Sequence, residues 1–167
     1  MKYILVLLFG CSSLLVQAQD AESNLVKLGI KLTPPQKPVA NYVNIVQTGK
    51  LLYLSGKGPT REDGTNITGK LGKDLSIEEG YAAAKLVAIN HLAVLKDYLG
   101  DLNKVKRVIK VLGMVNCESS FADQPKVING YSDLMVAIFG EKGKHARSAV
   151  GMNALPSNIA VEVEVIV

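Results

Sequence analysis

The chain has 167 residues, a net charge of +4 and 48% hydrophobic residues, enough for a single domain with a substantial core. Its mild basicity comes with no run of lysines or arginines and with only 5% aromatics, so composition gives no support for nucleic-acid binding. Two cysteines, Cys11 and Cys117, are too few and too far apart for a paired-cysteine metal site.

Residues 1–18 read as a secretory signal: Met1 and Lys2, then an almost wholly apolar run from Tyr3 to Val16, then Gln17 and Ala18 at the cleavage site. That run is shorter than the ~20 residues a membrane-spanning helix needs. Lipidation at Cys11 is the weaker alternative, because Phe9 fits that pattern poorly. Cleavage after Ala18 gives a periplasmic or secreted protein starting at Gln19, with no integral membrane segment. Cys117 is then its only cysteine, which excludes an intramolecular disulfide and reads as a small buried residue at a strand end.

Residues 19–37 form an N-terminal arm, with Leu25 and Leu28 at near-helical spacing and Thr33, Pro34, Pro35 as a stop. The domain proper spans 38–167. Asn41 to Val46 and Leu51 to Ser55, around a turn containing Gly49, predict a β-hairpin. Residues 56–73 are glycine-rich but lack both the Gly-Lys-Ser/Thr ending and the G-x-G-x-x-G order of phosphate loops, so they read as a surface loop with one short strand over 66–71.

Ser76 and Glu79 form a capping box, and the apolar face that follows predicts a helix from Ile77 to Leu99, ended by Gly100. His91 within it reads as a polar or half-buried helix residue, and a lone histidine is no metal signature. Val105 to Val115 is apolar on both faces and predicts a strand buried on both sides. Pro125 opens a second helix that runs to Phe139 and stops at Gly140. Ala146 to Met152 and the alternating Val161, Glu162, Val163, Glu164, Val165 then read as the strands of a C-terminal hairpin, which sets Arg147 and a glutamate on one cleft. His145 beside them reads as a strand cap, with a cleft proton donor as the weaker alternative.

Two helices cover one face of a five- or six-stranded sheet and leave the other bare. A doubly apolar middle strand therefore implies a second layer from another subunit.

Tyr42 and Val43, the Leu54, Ser55, Gly56 strand, and Ala146, Arg147, Ser148 followed by Leu155, Pro156 and the Val161 to Glu164 strand together resemble the RidA (reactive intermediate deaminase) family, also labelled endoribonuclease L-PSP. The resemblance runs from Pro38 to Val167. It implies an α+β, chorismate-mutase-like single domain, a mixed sheet with two helices packed on one face, and a homotrimer with clefts between subunits. It implies hydrolysis of small 2-imino carboxylates to 2-keto acids and ammonia, without metal or cofactor. Carried onto this chain, Arg147 pairs with the substrate carboxylate and Glu162 positions the attacking water. Tyr42, Ser55, Asn129 and Ala149 line the same cleft, Ala149 through its backbone where many members carry a cysteine.

The chemistry suits these residue types. Arginine holds a carboxylate with a planar fork, and a carboxylate can orient a water or accept its proton. The alternative is a non-catalytic trimer that binds a small carboxylate metabolite in the same cleft. Ribonuclease activity has no support from paired histidines, a basic stripe or an aromatic platform. The mass of the exported protein should correspond to a chain beginning at Gln19; a lipid-modified Cys11 would overturn the cleavage reading.

Overall fold

The computed structural model describes residues 20–167, so the signal and its Cys11 alternative lie outside the described residues. The elements are α1 (Ala21–Lys27), β1 (Ile45–Thr48), β2 (Leu51–Lys57), α2 (Ile77–Leu99), β3 (Lys110–Asn116), α3 (Gln124–Phe139), β4 (Ala146–Met152) and β5 (Val161–Ile166). The five strands form one mixed sheet in the order β1-β2-β5-β3-β4, and α2 and α3 pack on one of its faces.

Local chemistry sets the helix ends. Ser76 Oγ accepts from the Glu79 amide at 3.2 Å while the Glu79 carboxylate accepts from the Ser76 amide at 2.8 Å, and Gly100, at φ 74°, closes α2 in the left-handed region. Gly49, at φ 58°, opens the two-residue turn between Thr48 and Leu51. In α1, Asp20 caps the first turn, Lys96 pairs with Glu22 at 2.8 Å, Asn24 donates to the Ile138 carbonyl at 2.9 Å, and Leu25 is buried. The arm is therefore tied to both α2 and α3.

Three expectations are corrected. Over 66–71 there is no regular strand, only isolated bridges such as Thr60 to Asn66 and Thr68 to Ile159, because the loop's glycines turn it too often for a ladder. The middle strand starts at Lys110 rather than Val105, since Leu102–Lys104 form a 3-10 turn that delays it. Most consequentially, β4 and β5 are not a hairpin. β4 runs parallel to β3, pairing Val111 with Arg147, and β5 lies antiparallel on the other side of β3, pairing Met114 with Glu162.

The core sits between the helices and one sheet face. Val111 and Val115 of β3 and Val161, Val163 and Val165 of β5 meet Val87, Ala88 and Leu92 of α2 and Ile128 and Tyr131 of α3, all of them buried. On the opposite face Leu112 and Met114 are half-buried and Val46 and Tyr53 exposed. Within one chain the strand predicted to be buried on both sides is thus covered on one.

His91 is wholly buried rather than half-buried. Its Nε2 donates to the Ser55 carbonyl at 3.2 Å and its Nδ1 accepts from the Tyr131 hydroxyl at 3.0 Å, so α2, α3 and β2 meet at one imidazole. Burial pushes its pKa down to about 4, which keeps it neutral near pH 7.

Between the two helices, Gly130 lies against the Tyr81 carbonyl, where a β-carbon would collide with backbone. Gly130→Ala should lower stability by about 1–3 kcal/mol, read from the urea midpoint, and an unchanged midpoint would refute the close approach.

Candidate functional site

The residues singled out in the sequence fall into two groups on opposite faces of the sheet. Arg147 lies on the edge strand β4, in register with Val111, and points toward α3. Its Nη1 donates to Asn129 Oδ1 at 2.9 Å and to Ser132 Oγ at 3.0 Å. Asn129 and Ser132 are three residues apart and so share one helix face. His145, just before β4, completes the group. Its Nδ1 faces the Gly143 carbonyl at 2.6 Å, which can only accept, so Nδ1 carries the proton and Nε2 accepts from the Ser132 hydroxyl at 3.1 Å. Ser132 then offers its lone pairs to Arg147. Burial, with the Arg147 charge adding to it, holds the His145 pKa below its usual value and favours this neutral form.

The guanidinium is thus aimed by neutral acceptors. No carboxylate pairs with Arg147 among the described residues, and its remaining N–H donors have no protein partner there. A charged fork fixed in this way is suited to an anion arriving from outside the chain. Ala149, two residues on and in register with Gly113, presents backbone and a methyl on the same edge strand.

The second group lies on the open face, around β2 and β5. From Leu54 to Lys57 β2 takes three steps while β5 takes two from Val165 to Val163, so a β-bulge sits at Ser55 and Gly56. Gly56 meets the Glu162 side chain: a β-carbon there would run into the carboxylate. Glu162 is half-buried, and burial, with Glu164 adding to it, raises its pKa. Ser55 donates to the Val43 carbonyl at 2.6 Å and fixes the segment that carries the exposed Tyr42. A hollow of about 320 Å³ on this face is bordered by Tyr53, Ser55, Lys110, Leu112 and Glu164. Glu162 stands one turn of the pleat further along β5, outside that hollow.

The structure therefore brings Arg147, Asn129 and Ala149 together, and separately Glu162 and the Ser55–Gly56 bulge, with Tyr42 next to Val43, whose carbonyl Ser55 bonds. It does not join the groups within one chain. Arg147 and Glu162 are separated by two inter-strand spacings, roughly 10 Å, and by three residues, roughly another 10 Å, with opposite facing. The predicted common cleft is corrected accordingly, because β3 lies between their strands.

Sequence reasoning missed Ser132 and Gly56. The first was available from its three-residue spacing to Asn129, the second from a glycine inside a strand, which signals a bulge or a close approach. The role of His145 is sharper than a strand cap, since it also orients Ser132.

The profile of a family described as "YjgF/chorismate mutase-like, putative endoribonuclease" matches residues 22–166. Protein TCP17 of Trypanosoma cruzi is 45% identical over 146 residues, covering 87% of this chain and 91% of that protein. The crystal structure of protein Atu1372 from Agrobacterium tumefaciens is similar at a TM-score of 0.82 and 43% identity, covering 87% of this chain and 90% of that one. RidA from the Antarctic bacterium Psychrobacter sp. PAMC 21119 is more distant, with a TM-score of 0.56 and 27% identity over 80% of this chain and 92% of that one.

The atoms that a Gly56 methyl would meet are the far end of a flexible side chain, so the carboxylate should move while the strand stays. Gly56→Ala should change stability by less than about 1 kcal/mol, and a crystal structure of the variant should show Glu162 swung away from β2. An undisplaced carboxylate would contradict this packing.

Proposed function

The chain belongs to the YjgF/RidA family, and on that footing we propose that it is a hydrolase that deaminates small 2-imino carboxylates in a cleft between protomers of a homotrimer. The observation that carries this reading is the Arg147 guanidinium, held by Asn129 and Ser132 and lacking a carboxylate partner among the described residues. It is a receptor for an anion on an edge strand, where a second protomer can approach.

In the proposed assembly the β4 edge of one protomer faces the Ser55, Gly56 and Glu162 side of the next. The substrate carboxylate pairs with the open N–H groups of Arg147, which presents the imine carbon to the neighbouring protomer. Glu162 holds a water against that carbon and takes its proton as the C–O bond forms. Its raised pKa, caused by burial, makes it a stronger base than an exposed glutamate. That proton passes to the imine nitrogen to give the carbinolamine. Its hydroxyl then gives up the second proton, which Glu162 relays to the same nitrogen, the C–N bond breaks as the C=O bond forms, and the products are the 2-keto acid and ammonia. An imine carbon is already electrophilic, so orientation supplies most of the acceleration asked of the protein. The reading of residues 1–18 as an export signal places this activity outside the cytoplasm.

Freshly generated 2-iminopropanoate should be hydrolysed faster by the wild type than by buffer, followed as pyruvate. Arg147→Ala should lower kcat/KM roughly a hundredfold or more, with Glu162→Gln lowering kcat by a similar factor. Equal rates for wild type and Arg147→Ala would remove the proposal. Arg147-dependent binding of 2-ketobutyrate without turnover would convert it to the binding module.

A further inference from the structure

On the helix side of the sheet, apart from both groups, a cavity of about 550 Å³ lies between the N-terminal arm, the flank of α2 and the loop after β2. That is within the size range of small-molecule sites. One side of its wall is apolar, made by Ile30 of the arm and by Leu86, Ile89 and Ala93 of α2, while Thr33, Gln36, Thr60 and Asn90 add polar groups elsewhere. The three α2 residues recur at three- and four-residue intervals and form one stripe of the helix. This stripe faces the arm, while Val87, Ala88 and Leu92 face the sheet core. Among the described residues no aromatic ring lines the cavity, so its apolar side matches a flexible aliphatic body better than a stacked ring.

The rim is basic, with Lys31, Lys57 and Arg61 against Glu62, the one carboxylate that lines it among the described residues. Lys57 pairs with Val163 after the bulge, which turns its side chain to the helix side. It is half-buried, its Nζ donates to the neutral Asn44 Oδ1 at 2.6 Å, and it forms no ion pair among the described residues. Burial lowers its pKa, the signature of a cation that lacks compensation. Arg61 spends one nitrogen on Thr65 and the Asn66 carbonyl. The loop that carries these cations is fixed, since Asn90 of α2 donates to the Gly58 and Thr60 carbonyls at 3.1 Å each. The cavity is preformed, with a half-buried cation at one end and an apolar stripe along one side.

We propose that this cavity is a second ligand site that takes a medium-chain aliphatic carboxylate, its head on Lys57 and its chain along Leu86, Ile89 and Ala93. The head gains a charge-assisted hydrogen bond, and the chain removes apolar surface of α2 and the arm from water. The site is independent of the imine chemistry, because neither Arg147 nor Glu162 borders it.

The test is a titration of the purified protein with octanoate, followed by methyl NMR and calorimetry, with octanamide as the neutral probe of the same length. Octanoate should give saturating shifts at the Ile30 and Ile89 methyls. Octanamide, and octanoate on Lys57→Met, should bind about tenfold more weakly. Arg147→Ala should bind octanoate like the wild type. Equal affinity for octanoate and octanamide overturns the proposal, as does binding lost with Arg147→Ala or the absence of saturable shifts at the arm and α2. Deaminase activity can be present or absent in any of these outcomes, so the two readings fail separately.

Discussion

The last strand of the chain occupies the middle of the sheet, hydrogen-bonded to β2 on one side and to β3 on the other, and the rest of the structure depends on that placement. Its valines at 161, 163 and 165 are the central row under the helices, each contributing about 1.5–3 kcal/mol by burial as an upper estimate. The same alternation sends Glu162 and Glu164 to the other face. Until β5 enters, the β1–β2 hairpin and the β3–α3–β4 unit have no common ladder. Pairings so distant in sequence make this a fold of high contact order, in which closure of long loops must precede the contacts that reward it.

What the sequence made legible was local. The ends of α2 could be read because Ser76, Glu79 and Gly100 satisfy backbone groups within a turn of themselves, and the core stripe of α3 because its period needs no partner to be seen. Neighbour relations between strands were not legible in the same way. A period of two says which residues share a face but not which strand lies alongside. β4 and β5 are consecutive and joined by a short segment, which suggested a hairpin, yet β3–α3–β4 is a strand–helix–strand unit, whose usual outcome is parallel pairing of its two strands. The second rule won because α3 packs over both strands, leaving the far side of β3 to β5.

The same limit applies to buried polar residues. His91 looked like a lone polar residue on a helix, because its partners lie on α3 and β2, 40 and 36 residues away. Once there, it is fully satisfied, as buried polar groups generally are. Its bond to the Ser55 carbonyl anchors the backbone at the start of the bulge that brings Gly56 under Glu162. An interior hydrogen bond on one face thus helps set the position of a carboxylate on the other.

The division of the site follows from the topology. Arg147 is on the helix side of an edge strand and Glu162 is on the open side of the central strand, with β3 between them, so flexing one chain cannot join them without breaking the sheet. On the proposed function, a second copy of the chain supplies the other half. The surface that would receive it is already unusual for a solvent face: Val46 and Tyr53 are exposed there and Leu112 and Met114 are half-buried. Covering that face removes apolar surface from water and brings a foreign edge toward Glu162 in the same step. The half-covered apolar face and the division of Arg147 from Glu162 thus support the same proposed partner, a second copy of the chain, and that coincidence is the physical ground for proposing the site between protomers rather than within one.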